Sequence, residues 1–110
     1  MKAAPVTALR KDKGAMKKLA VLVKEPEAQY EGLRVSLGAL LDDVAVEMFV
    51  LNHEVSPMDE AYSENMEFLD EMEGLRFSNN SANVEKYGFA YLSRKAMTER
   101  LKAADVVIPF

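Results

Sequence analysis

The sequence predicts a three-layer α/β/α sandwich built on a five-stranded, mainly parallel sheet. Two observations carry this. Short continuous apolar runs, LAVLV (19–23) and VVIPF (106–110) among them, suit strands covered on both faces. Between such runs lie stretches with apolar residues at helical spacing, and strict alternation of strand and helix implies parallel strands with helices on both faces.

The first strand is expected over 18–24, between Lys18 and Lys24. Glu25-Pro26-Glu27 breaks it and opens a helix, since proline suits a first turn and early carboxylates suit the positive end of the helix dipole. Tyr30, Leu33, Leu37, Leu40 and Leu41 are the expected buried stripe, ended by Asp42-Asp43. VAVEMFVL (44–51) is the second strand, with Glu47 as its one charge, and Asn52 to Pro57 is a loop holding His53. Met58, Ala61, Tyr62, Met66, Leu69 and Met72 mark one face of the next helix. Its other face carries Asp59, Glu60, Glu64, Glu67, Asp70, Glu71 and Glu73 without a single base, and Gly74 reads as its stop. A third strand follows at 75–78. Ser78-Asn79-Asn80-Ser81 caps a short helix from Ala82 to Tyr87, which Gly88 stops. A fourth strand at 89–92, a helix capped by Ser93 that buries Met97, Leu101 and Ala104, and a fifth strand at 106–110 complete the domain. Pro109 suggests that the tip of the last strand is not fully paired.

The chain has 110 residues, 49% hydrophobic and 29% charged, values of one globular domain. It contains no cysteine, which excludes disulfides, thiolate metal sites, thiol nucleophiles and persulfide carriers. With one histidine, His53, no zinc site of ordinary composition can be assembled, and no metal or cofactor is expected. No apolar run approaches the roughly 18 residues that span a bilayer, and Met1 to Lys18 lacks the core of a secretory signal. The expected location is the cytoplasm.

The net charge of −4 is unevenly spread. Residues 1–18 hold six bases against Asp12 alone, a net +5, so the remainder holds −9. Residues 1–16 are read as a disordered basic leader and 17–110 as the folded domain. An acidic body without an aromatic-basic stripe argues against nucleic-acid binding, and membrane association is not expected either.

Ligand crevices of parallel sheets lie beyond the carboxyl ends of the strands. His53, Ser78, Asn79 and Asn80 fall there and are the candidate ligand-binding residues. Helix capping is the ordinary meaning of the Ser/Asn loop, and simple exposure that of a lone loop histidine. A Ser78–His53 nucleophile pair lacks the Gly-x-Ser-x-Gly elbow. Neither a Gly-x-Gly-x-x-Gly nor a P-loop pattern is present. No catalytic residue is assigned.

The segments EGLRVSLGALLDDVAVEMFVLNHEV, SNNSANVEKYGF and ADVVIPF, in this order and spacing, resemble the DsrE/DsrF-like sulfur-relay family over roughly Lys17 to Phe110. The resemblance implies a five-stranded α/β sandwich that assembles into dimers, trimers or hexamers. It also implies a persulfide-carrying cysteine in the loop after the third strand. Here that loop reads Phe77-Ser78-Asn79-Asn80, and Ser78, or Asn80 with a shifted loop, takes the cysteine's place. A serine hydroxyl holds no transferable sulfane sulfur. The resemblance therefore points to a non-catalytic structural or partner-binding subunit, a homo-oligomer with a possible sulfur-relay protein partner. The alternative is a small-ligand binder using the same crevice.

Overall fold

The computed structural model describes residues 18–56 and 59–110. Five strands, β1 (Lys18–Val23), β2 (Ala45–Val50), β3 (Leu75–Ser78), β4 (Ala90–Tyr91) and β5 (Val106–Pro109), form one sheet in the order β4-β3-β2-β1-β5. All four pairings are parallel. Four helices connect the strands: α1 (Gln29–Leu41), α2 (Glu60–Glu71), α3 (Ser81–Tyr87) and α4 (Arg94–Ala103). A 3-10 turn at Pro26–Ala28 leads into α1. The predicted α/β/α sandwich is the observed fold, and the basic leader assigned to residues 1–16 lies outside the described residues.

Handedness explains which helix lies where. The connections β1 to β2, β2 to β3 and β3 to β4 each step to the adjacent strand in one direction. Right-handed crossovers therefore put α1, α2 and α3 on one face. The connection from β4 to β5 runs back across the whole sheet, which puts α4 on the other. The cores agree. Leu19, Val21, Val23, Val46, Met48 and Val50 pack with α1 and α2 residues such as Leu33, Tyr62 and Leu69. Ala20, Phe49 and Phe77 pack with Met97 and Leu101 of α4. Every second residue of a central strand thus serves a different layer, which is why β1 and β2 read as unbroken apolar runs.

The one charge in those runs is also buried. Glu47 on β2 is 4% exposed and faces α4. Arg100 of α4 donates to both its oxygens, at 3.0 and 2.8 Å, and Lys18 Nζ lies 3.5 Å away. The Arg100 guanidinium also stacks over the Phe77 ring.

Several expectations are corrected. Tyr30 and Leu41 do not belong to the buried stripe of α1; both are exposed, and Gln29, Gly32, Leu33, Ser36 and Leu40 face inward. The helix lies so close to β1 that a Cβ on Gly32 would fall 2.6 Å from Val23 Cγ2, so the point of closest approach takes glycine, with the small Ser36 buried one turn on. Met58 of the predicted α2 stripe lies outside the described residues and Ala61 is exposed, whereas Tyr62, Met66 and Leu69 are buried as expected. The turn that ends α2 takes its positive φ at Glu73 (70°), not at Gly74, which is buried against Leu69 and Leu40. Gly88 does supply the left-handed cap of α3. The tip of β5 is paired: Phe110 N–H donates to Leu22 O at 2.7 Å and Lys24 N–H to Phe110 O at 2.8 Å. Pro109 is tolerated because β5 is an edge strand and its missing donor falls on the outer side.

Candidate functional site

In an open parallel sheet, the crevice opens where neighbouring strands send their loops to opposite faces. The loop after β3 leads to α3 on one face, and the loop after β4 leads to α4 on the other. The switch point is therefore at the carboxyl ends of β3 and β4, with the β2 end alongside.

Three exposed or half-exposed polar side chains from three strand ends meet there. Asn52, after β2, is held at φ 66°, a conformation asparagine tolerates better than most residues. Asn52 N–H donates to Asn79 Oδ1 at 2.8 Å, and Asn79 Nδ2 donates to Asn52 Oδ1 at 2.9 Å. Arg94, the first residue of α4, reaches the same Asn52 oxygen at 3.3 Å. Ser93 caps α4 by accepting from Ala96 N–H.

Below this cluster lies a buried polar frame. Ser78 is fully buried. Its hydroxyl donates to Val50 O at 2.8 Å and accepts from Asn80 N–H and Asn83 Nδ2, both at 3.0 Å. Asn83, also fully buried, accepts from Val55 N–H at 2.7 Å and donates to His53 O at 3.0 Å. Asn80 caps α3 through its side-chain oxygen, which accepts from Ala82 and Asn83 N–H. His53 Nδ1 lies 2.9 Å from Leu51 O, so that nitrogen carries the ring proton. Its Nε2 is buried and has no hydrogen-bond partner.

The four sequence-predicted residues thus lie near one another but play different parts. Ser78 and Asn80 fix the β3–α3 turn, Asn79 faces the crevice, and His53 turns one nitrogen to its own loop. Sequence reasoning missed Asn83, the hub of the frame, and Asn52 and Arg94 at the crevice. Asn83 carried a usable signal, since asparagine inside a helix competes with the backbone and needs a reason to be there. Asn52 and Arg94 are brought together across 42 positions only by the return of the chain over the sheet.

Among the described residues, no cluster of three or more histidine, aspartate or glutamate side chains is placed to hold a metal ion, and no helix is long and apolar enough to cross a membrane. A scan against protein-family models finds no match, and neither curated proteins nor solved structures yield one.

Proposed function

We propose that this chain is a non-catalytic, partner-binding subunit of the cytoplasm, similar in role to cysteine-free members of sulfur-relay assemblies, that works as a homo-oligomer. The observation that carries this reading is the state of Ser78. The resemblance matches the sulfur-carrying cysteine best to this position, or to Asn80 if the loop is shifted. Here the hydroxyl is fully buried and spends its one donor and two acceptor sites on Val50, Asn80 and Asn83. A relay group has to be exposed to a donor and an acceptor protein in turn; Ser78 instead ties β3 to β2 and α3. With no cysteine elsewhere, the chain contributes surface and not sulfur chemistry.

The test is incubation with a cysteine desulfurase and radiolabelled cysteine, followed by non-reducing denaturing gels. No label is expected on the wild-type chain. Label that survives denaturation and is released by a reductant would overturn the reading.

The placement of Asn52, Asn79 and Arg94 at the topological switch point favours a second reading, a small-ligand binder. A guanidinium beside two carboxamides suits a small anion with further oxygen acceptors. Native mass spectrometry of freshly purified protein checks it. A retained mass lost in an Arg94→Ala variant supports the second reading, and a bare chain counts against it.

A further inference from the structure

Among the described residues, the face of the sheet opposite α1, α2 and α3 is covered by α4 alone. This helix is held lightly. Met97 is its one fully buried side chain, whereas α2 buries Tyr62, Met66 and Leu69. Leu101 and Ala104 are half-buried beside Met97, and Arg94, Lys95, Thr98, Glu99, Lys102 and Ala103 are exposed. Across the row Leu75, Glu47, Ala20, Val107, the helix shields the two middle members and leaves Leu75 45% and Val107 40% exposed at the ends.

The polar ties of α4 add little to its hold. If the helix lifts, Glu47 and Arg100 both return to water, and the hydration that the two charges regain offsets most of the attraction that they lose. Arg94 touches Asn52 through one bond of 3.3 Å between exposed groups. Docking of α4 therefore rests mainly on Met97 and the half-buried Leu101. The sheet does not have to come apart when α4 leaves. At one end of the connection Leu92 N–H donates to Ser78 O at 3.1 Å; at the other, Asp105 N–H donates to Lys18 O and Lys18 N–H to Asp105 Oδ2, both at 2.9 Å. The chain from 92 to 105 reaches about 45 Å when extended, and the two edge strands that it joins lie about 19 Å apart.

We propose that α4 is a hinged cover. It opens as one unit while the five strands stay paired, and it carries Arg94 away from Asn52 when it does. The opening equilibrium is separate from global unfolding and lies below it in free energy. Opening bares the layer of Ala20, Phe49 and Phe77. It also takes the guanidinium out of the crevice, so the crevice is complete only when α4 is docked. A ligand that grips Arg94 together with Asn52 holds the cover shut, because it binds the closed form alone. That last consequence rests on the reading of Asn52, Asn79 and Arg94 as a ligand crevice; the opening itself does not.

The test is native-state amide hydrogen exchange, followed residue by residue by NMR under conditions where it reports opening equilibria. The amides from Met97 to Ala103 should share one opening constant with a weak dependence on urea, and exchange at least about tenfold faster than those of β1 and β2. Three variants separate local from global opening. Gly32→Ala loosens the packing of α1 on β1, which the open form retains. Exchange in β1 and β2 should speed up about tenfold or more, and exchange in α4 should not change. Gly38→Ala, at an unobstructed site, should slow β1 and β2 about threefold and again leave α4 unchanged. Arg100→Met leaves Glu47 buried and short of a partner in the closed form only, so it should speed α4 exchange about a hundredfold. Exchange in α4 that follows β1 and β2 in the glycine variants would show that the helix leaves only on global unfolding, and would overturn the proposal. So would a gradient of rates along α4 in which Met97 exchanges as slowly as the sheet, since that is fraying from one end and keeps Arg94 in place. These rates are read without any ligand, so the cover stands or falls apart from the crevice reading, which the Arg94→Ala mass measurement decides.

Discussion

Arg100 holds Glu47 through both guanidinium nitrogens that face it, across the junction between α4 and the middle of the sheet. Burial of Glu47 works to raise its pKa. The Arg100 hydrogen bonds and charge, with Lys18 behind them, outweigh it and leave the carboxyl below its ordinary value. A folded-state pKa that is depressed contributes stability above the ordinary carboxylate value, about 4.3 for glutamate. That contribution is lost as pH falls through the folded value. Acid unfolding of the wild type should begin in that window, and Glu47→Gln should flatten it.

Removing one partner is worse than removing the charge of the other. Arg100→Met leaves a buried carboxylate with Lys18 alone, and breaking a buried pair in this way costs about 3–5 kcal/mol. Lys18 and the partial exposure of Arg100 place the expected loss at the lower end. That corresponds to a fall in Tm of at least about 10 °C, checked by thermal denaturation at neutral pH. A loss as small for Arg100→Met as for Glu47→Gln would mean that the pair is not desolvated as described.

The frame under the crevice makes a second expectation. Asn83→Ala leaves Val55 N–H and His53 O unpaired in the interior, and each such group costs about 1–3 kcal/mol. Urea denaturation should show a loss of at least about 2 kcal/mol. A Ser78→Cys variant should fold with its thiol out of reach. Maleimide should modify it in denaturant and about a hundredfold more slowly in native buffer, where reaction requires local opening. Fast native labelling would show that position 78 is accessible.

Two glycines of the same helix should respond with opposite signs. Nothing lies within 4 Å of a Cβ built on Gly38, so Gly38→Ala should stabilise by about 0.5–1 kcal/mol through the greater helix propensity of alanine. At Gly32 the added carbon meets Val23 Cγ2 at 2.6 Å, in the core, so Gly32→Ala should destabilise by about 1–3 kcal/mol. Chemical denaturation of both variants against the wild type decides it.

Tyr62 gives an alkaline counterpart to Glu47. Burial, aided by the nearby Tyr30, pushes its phenol up to about 12. A raised folded pKa on a group that is neutral when protonated gives stability that is whole below about 10 and lost as pH rises towards the folded value. Ultraviolet titration should show one phenol ionising late, coincident with alkaline unfolding. Tyr62→Phe should remove that step.

The elements themselves were legible because the central strands read as apolar runs and several helix ends carry residues of recognisable type. Ser93, Asn80 and Gly88 all cap as their types suggest. The inner face of α1 was not legible. Apolar spacing marked Tyr30 and Leu41, but the close approach to β1 selected for small size, and Gly32 and Ser36 went inward. At the site, the loop was found and its division of labour was not. Ser78 looks like a polar crevice residue in sequence, and only the pairing of β3 with β2 brings Val50 O over its hydroxyl. Glu47 stood out as a lone charge, yet its partner lies 53 positions away on the crossover helix, beyond any local pattern.

The position of β1 also has a consequence for how the chain is made. This strand emerges from the ribosome first among the five, and one of its two neighbours, β5, emerges last; Lys18 N–H and Asp105 Oδ2, which join them at one end, are 87 positions apart. Until residues 106–109 are synthesised, one side of LAVLV is an open row of amides and carbonyls beside apolar side chains. That is the kind of surface on which nascent chains aggregate or are held by chaperones. At a synthesis rate of about 5–20 residues per second, the exposure lasts several seconds for every molecule produced. A nascent chain stalled before residue 105 should therefore remain a chaperone client, and release from the chaperone should coincide with the arrival of the last strand.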